Sequence, residues 1–244
     1  MPPEGSMRAS VLFGLSLCFV LAALPAVSQE SDAVGGVHTR IQGIDIPAIA
    51  NAPFTAKVLV TWNRPLVGGG MSSRKYYTRV ARDSQGRVRR ETREFISADS
   101  NAKPPLRSFT ILDPVSSTGT TCTKATLSCS TAPFQPRVNL TSDGGTLSGA
   151  GSNVTRENLG QQTMDDLSVV GTRETITSQD NTRVALSRTD VWYSPDLQMD
   201  LSVDRSNPQL GEVTITVTEL VRGEPDPSWF AVPSNYHVIG DRSQ

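Results

Sequence analysis

The stretch WYSPDLQMDLSVDRSNPQLGEVTITVTEL, residues 192–220, decides the fold class. Its large apolar residues occupy alternate positions: Leu197, Met199, Leu201, Val203, Val213, Ile215 and Val217. Alternation with a period of two predicts β-strands that bury one face. Asn207, Pro208 and Gly211 lie between the two runs and favour a turn. The stretch is therefore predicted to form an antiparallel hairpin.

The same pattern recurs along the chain, and long helical patterns are missing. In FTAKVLVTW, residues 54–62, every even position is apolar. Further strands are predicted at 74–82, 87–96, 107–112, 167–176 and 182–193. We therefore predict a mainly β fold with little helix, a single antiparallel meander sheet of about eight to ten strands. Because a one-sided sheet must cover its apolar face, it is expected to curl into a half-barrel or to pack like a sandwich.

The N-terminus has the features of a secretory signal peptide. Arg8 precedes an apolar run at residues 9–26, which ends in small residues before Ser28. The alternative is an uncleaved anchor, which needs about 20 apolar residues and is disfavoured by Pro25. We therefore predict that residues 1–28 are a cleaved signal, that the protein is exported to the periplasm or beyond, and that no transmembrane segment follows.

The 216 residues after the signal (244 − 28) are enough for one large β domain. We assign residues 29–52 to an N-terminal arm, either a short helix or a loose segment, and residues 53–240 to a single antiparallel domain. Residues 133–156 are rich in Gly, Ser, Asn and Thr and predict a flexible excursion. The net charge of −1 gives no general attraction to nucleic acid, which is not an expected partner.

Two cysteines, Cys122 and Cys129, follow the predicted signal and lie in TTCTKATLSCST. An even number of cysteines in an exported protein predicts a disulfide, here across a hairpin. Closing so short a loop stabilises a fold by roughly 2 to 3 kcal/mol on the chain-entropy model. The spacing favours this structural bridge over a redox pair, which is typically C-x-x-C.

Three tryptophans, Trp62, Trp192 and Trp229, are candidates for lining a hydrophobic cavity. The alternative for each is packing in the core. A lipid or another amphiphile is the ligand that such a cavity would take.

The most basic segment runs from residue 74 to residue 93 and holds eight basic residues against two acidic ones. DSQG, residues 83–86, predicts a turn between two strands, so the arginines are expected on one hairpin face. That face could meet anionic headgroups or an acidic polymer. The alternative is a solvated face that discourages edge-to-edge aggregation. The candidate anion-binding residues are Arg79, Arg82, Arg87, Arg89 and Arg90.

Motifs for catalysis are missing. The two histidines, His38 and His237, are not at metal-ligand spacing with cysteine or with each other. We therefore predict no catalytic residues, no metal site and no cofactor. An enzyme would need distant residues such as Asp166, Glu174 and Arg188 to converge in a polar cleft.

Two blocks carry a resemblance to known proteins: RDSQGRVRRE, residues 82–91, and the segment from WYSPDLQ to PDPSWFAVPSNY, residues 192–236. They resemble a large family of exported bacterial proteins of acidobacterial type that has no assigned activity. The inserted cysteine hairpin and the Gly/Ser-rich excursion depart from that family. The charged hairpin and the closing Phe230, Pro233 and Tyr236 are more distantly similar to the periplasmic lipoprotein-carrier (LolA/LolB-like) fold. That resemblance implies an incomplete barrel that shelters acyl chains.

Three classes of function follow from these observations. The first is a non-enzymatic envelope protein that binds or carries a hydrophobic or amphiphilic ligand. The second is a structural or protein-interaction module of the envelope, which would use exposed sheet edges to recruit a protein partner. The third, an enzyme, is least favoured because the motifs are missing.

Overall fold

One large β-sheet makes up most of the computed structural model, which describes residues 44–135, 147–149, 152–178 and 185–239. The signal peptide predicted at residues 1–28, most of the predicted arm and His38 lie outside the described residues. The predictions made for them stay predictions.

Fourteen strands are described, together with one 3₁₀ helix at Pro227–Phe230. In chain order the strands are β1 (Phe54–Pro65), β2 (Met71–Arg82), β3 (Val88–Arg93), β4 (Ile96–Ser97), β5 (Leu106–Asp113), β6 (Thr118–Thr123), β7 (Ser128–Pro133), β8 (Leu147–Gly149), β9 (Ser152–Met164), β10 (Leu167–Ser178), β11 (Ala185–Ser194), β12 (Met199–Asn207), β13 (Gly211–Arg222) and β14 (His237–Ile239).

The strand order is β14-β7-β6-β5-β3-β2-β1-β13-β12-β11-β10-β9-β8, with β4 paired to β2. Strands that follow one another along the chain mostly form antiparallel hairpins. β1 pairs with both β2 and β13, and so joins the strands on the β2 side of the sheet to those on the β13 side. Among the described pairs only β14 and β7 run parallel. The sheet is not closed into a barrel. The predicted antiparallel, mainly β fold with little helix is thus confirmed.

The hairpin predicted from the opening stretch is β12 and β13, in which Val203 lies opposite Ile215. Gly211 has a φ of 91°, and a Cβ at this position would collide with the backbone carbonyl of Asn63. The turn therefore requires glycine. Strict alternation in β12 fails in one place, because the register with β11 shifts near Leu201. A bulge of this kind adds one residue to a strand and changes which face the next side chains occupy.

The main hydrophobic core covers what we call the inner face, the face that carries Val58 and Val60 of β1 and Val80 of β2. Residues 44–48 form no helix or strand and pack on this core with Ile44 and Ile46 almost fully buried. The described end of the predicted arm is therefore an extended segment fixed in the core. Its alternating sequence, Ile-Asp-Ile, explains the packing, since every second side chain points to one side.

A smaller core lies on the opposite, outer face. It is built from Phe109 and Ile111 of β5 together with the two cysteines of β6 and β7. The C-terminal segment covers it, and the ring of Tyr236 meets that of Phe109 edge-on at 5.5 Å between centroids. The predicted disulfide between Cys122 and Cys129 is present and lies inside this core.

The predicted excursion at residues 133–156 is corrected where the structure describes it. β8 lies within it, and β9 begins at Ser152, where it pairs with Ser178 of β10. β9 was not predicted because the sequence SNVTRENLGQQTM has few large apolar residues to mark a buried face. Residues 136–146 and 150–151 lie outside the described part of the chain.

Candidate functional site

A cavity of about 780 Å³ lies on the inner face where β1, β2, β3 and β5 run side by side. Its apolar lining includes Val58 and Val80 from the sheet and Ile44 from the N-terminal segment. Tyr76 and Phe95 add aromatic rings, which meet edge-on with centroids 4.7 Å apart. Its polar lining includes Arg74, Arg90, Glu94, Ser108, Thr110 and Thr123. The cavity therefore has both the apolar and the polar surface that an amphiphile needs.

Strand register explains why Arg90 faces this cavity. Val80, Arg90, Thr110 and Thr121 lie directly opposite one another on β2, β3, β5 and β6. Directly opposed residues share a face of a sheet, so Arg90 lies on the inner face with Val80. Burial raises the pKa of Tyr76, and the positive charge of Arg90 partly offsets that rise. Tyr76 and Arg90 both line the cavity, so a charged guanidinium and an aromatic ring border the same space.

A second cavity, of about 520 Å³, shares Ile44 and Arg90 with the first. Its lining is more acidic, since Asp45 and Asp200 both belong to it, along with Arg205. A third, small cavity of about 40 Å³ is also lined by Arg90. Arg90 thus touches all three of these cavities of the described chain.

Asp200 and Arg205 of β12 form the charged part of the second cavity. Burial raises the pKa of Asp200 to about 6, the nearby Arg205 opposes the rise and Asp45 adds to it. Burial also lowers the pKa of Arg205. The bulge in β12 lets Asp200 and Arg205 reach one cavity although they are five residues apart.

The three tryptophans predicted to line a cavity are not among the residues around these three cavities. Trp62 packs on the main core beside Phe95 and donates from Nε1 to the carbonyl of Leu210 at 3.2 Å. Trp192 packs over Gly171. Trp229 lies in the 3₁₀ helix, and its carbonyl accepts a hydrogen bond from the guanidinium of Arg89 at 2.8 Å. A ligand-lining role for the tryptophans stays a prediction.

The five candidate anion-binding arginines do not share one face, which corrects that part of the prediction. Arg82 is fully buried and donates to three backbone carbonyls. Arg87 pairs with Asp83 at 2.6 Å. Arg89 lies on the outer face, over the ring of Phe109 at 4.2 Å.

The two remaining candidates are placed differently. Arg79 is exposed on β2, opposite Lys57 of β1 and away from the inner face. Arg90 alone of the five candidates lines the cavities. The alternation of strand side chains divides Arg89 and Arg90 between the two faces. Consecutive charges in a sequence therefore do not make a charged face in a sheet.

The residues named for an enzyme do not converge. Asp166 lies in the tight turn between β9 and β10, eight residues before Glu174, which belongs to β10. Glu174 pairs with Arg156 at 3.0 Å, and Arg188 lies 3.7 Å from Asp190. Within the described residues, no group of three or more His, Cys, Asp or Glu side chains is placed to hold a metal ion. No helix in the described part of the chain is long and apolar enough to cross a membrane.

Sequence reasoning missed most of the lining of the main cavity. Ile44 was assigned to the arm, and Phe95 follows the end of β3 as defined here. Arg74 was counted in the basic segment but not among the candidates. The alternation of β2 could have placed Arg74 at the cavity, because even-numbered residues of this strand share the face of Val80.

No protein-family model and no curated protein matches the chain. Solved structures that resemble it include an uncharacterised conserved protein from Thermus thermophilus, 13% identical, with a TM-score of 0.39 over 77% of this chain and 89% of that one. They also include the MucA/MucB complex of Pseudomonas aeruginosa, 13% identical, with a TM-score of 0.39 over 79% of this chain and 59% of that one.

A LolA superfamily protein from Nitrosomonas europaea is 9% identical, with a TM-score of 0.27 over 72% of this chain and 89% of that one. LolA-like proteins, to which the sequence showed a distant resemblance, are thus among the structural neighbours.

Proposed function

We propose that this protein is an exported, non-enzymatic binding protein of the cell envelope that holds an amphiphilic molecule in the cavity of the inner face. The observation that carries the proposal is the pairing of an apolar wall, Val58, Tyr76 and Phe95, with the arginines Arg74 and Arg90 in one cavity. Its volume of about 780 Å³ is within the range of small-molecule sites.

The disulfide is consistent with export, because disulfides persist in oxidising compartments. A non-enzymatic role is supported by the ion pairs that occupy charged residues named for an enzyme, since Glu174 pairs with Arg156 at 3.0 Å and Arg188 lies 3.7 Å from Asp190. An open sheet that keeps a cavity beside its core is suited to binding, since the rigid strands hold the lining in place.

The proposal is tested by titrating lysophosphatidylcholine, below its micelle concentration, into the mature protein in a calorimeter. Thr110 lines the cavity at the centre of β5, so Thr110→Trp fills it with an indole ring. We expect stoichiometric binding to the wild type and a loss of at least tenfold in affinity for the variant. Thr131→Trp, at an exposed position of β7, is the control and should bind like the wild type. Equal binding by all three proteins would contradict the proposed site.

A second candidate function, a protein-interaction module, is favoured by one specific feature. β14 lies at the edge of the sheet, and its Val238 and Ile239 are 59% and 52% exposed. Among the described strands β14 pairs with β7 alone, and a sheet edge can accept a strand from a partner. Val238→Lys should abolish capture of such a partner and leave lysophosphatidylcholine binding unchanged.

A further inference from the structure

We infer that the ligand is anionic, and that Arg90 binds its headgroup while the tail lies in the larger cavity. This inference rests on the proposed function and names the chemical class of the ligand.

Within the described residues, Arg90 differs from the other buried or half-buried arginines of the hairpin in the contacts of its guanidinium. Among the described residues, no hydrogen bond or ion pair is formed by its guanidinium. By contrast, Arg89 donates to the carbonyl of Trp229 at 2.8 Å, and Arg93 binds Glu91 at 2.7 Å. A half-buried guanidinium carries five donors, and donors held away from water are costly unless an acceptor meets them. A carboxylate or phosphate headgroup is such an acceptor.

The charges decide which cavity takes the tail. The smaller cavity contains Asp45 and Asp200, whose charges oppose an anion. The larger cavity has Glu91 and Glu94 but also three arginines besides Arg90: Arg74, Arg93 and Arg107. Arg74 lies on the inner face of β2 in line with Tyr76 and Val80. In the smaller cavity Arg90 and Arg205 are matched by the two aspartates, so an amphiphile anchored at Arg90 meets an excess of arginines over carboxylates beside the apolar wall only in the larger cavity.

The experiment compares two ligands of one chain length, decanoate and 1-decanol, titrated into the mature protein by calorimetry at low ionic strength. A charge-assisted hydrogen bond is worth about 1.5 to 3 kcal/mol, so decanoate should bind the wild type roughly tenfold or more tightly than decanol. Arg90→Gln should remove the preference, so that decanoate and decanol bind the variant with similar affinity. Arg79→Gln, at the exposed position on the other face, is the matched control and should keep the full preference.

Arg90→Lys distinguishes charge from geometry, since it keeps the charge without the planar pair of donors. It should retain part of the preference. Equal binding of decanoate and decanol by the wild type, or an unchanged preference in Arg90→Gln, would overturn the inference and leave the proposed function standing. Binding of neither ligand would contradict the proposed function itself.

Discussion

The guanidinium of Arg82, at the end of β2, donates from one of its terminal nitrogens to the carbonyl of Pro47 in the N-terminal segment at 3.0 Å. Its other nitrogens donate to the carbonyls of Ala52 and Leu197 at 2.9 and 2.8 Å. One buried side chain thereby joins the N-terminal segment, the sheet and the turn before β12. Residues 44–48 also border the two larger cavities. The hydrogen bond from Arg82 to Pro47 therefore fixes part of the binding site.

We predict that Arg82→Met lowers the free energy of unfolding by about 3 kcal/mol, because three buried carbonyls lose their donors. Chemical denaturation measures the change. Arg79→Met, on the same strand but exposed, should change the free energy of unfolding by less than about 0.5 kcal/mol. Similar values for the two variants would show that the Arg82 contacts do not stabilise the fold.

Removing the disulfide should weaken the outer core. Cys122 and Cys129 are buried and close a loop with a sequence separation of 7. We predict that the double variant Cys122→Ser, Cys129→Ser loses about 2 to 3 kcal/mol of stability. The measurement is denaturation of the wild type with and without reductant beside the variant. A reductant effect that persists in the variant would not fit this account.

Gly171 is predicted to tolerate no side chain. A Cβ there would lie 2.6 Å from the ring of Trp192 and 2.8 Å from the Cβ of Leu159. Gly171→Ala therefore forces the indole to move, with a cost of about 1 to 3 kcal/mol. Near-ultraviolet circular dichroism should show a changed tryptophan environment, and the melting temperature should fall. Unchanged spectra and stability would mean that β10 and β11 pack differently.

Stability should depend on pH through Asp200. Burial raises its pKa to about 6, whereas an unfolded aspartate has a pKa of about 4. Between these two pH values the carboxyl of Asp200 keeps its proton in the folded protein and releases it in the unfolded chain. The free energy of unfolding therefore falls as the pH rises from about 4 to about 6.

Asp200→Asn should remove this part of the slope and make the protein more stable at pH 7.5, by about 2 kcal/mol. Urea denaturation of the wild type and the variant at several pH values measures it. A variant that is less stable than the wild type at pH 7.5 would contradict the assigned cause.

The sequence predicted those strands whose two faces differ in polarity. β1, β12 and β13 were recognised because apolar residues alternate with polar ones. β9 and β14 were missed because their sequences lack that contrast or are too short to show it. The pairing of β1 with β13 joins residues more than 140 positions apart, and no local pattern specifies it.

The candidate site was predicted only in part, for a related reason. Arg90 was named, but the same argument named Arg82 and Arg89. The register of β3 separates Arg90 from Arg89, and burial against distant carbonyls separates it from Arg82 of β2. The cavity wall includes Ile44, which comes from a segment without strand pairing. Which distant segments cover a sheet depends on tertiary packing, and the tryptophans were chosen by type instead of by position.

Native mass spectrometry of the mature protein, purified from periplasm without detergent and followed by lipid extraction, tests the central claim most directly. We expect one bound amphiphile per chain, and loss of that mass in Thr110→Trp but not in Thr131→Trp. An apo mass for the wild type, unchanged after incubation with decanoate or lysophosphatidylcholine, would contradict the proposal that the inner cavity binds an amphiphile.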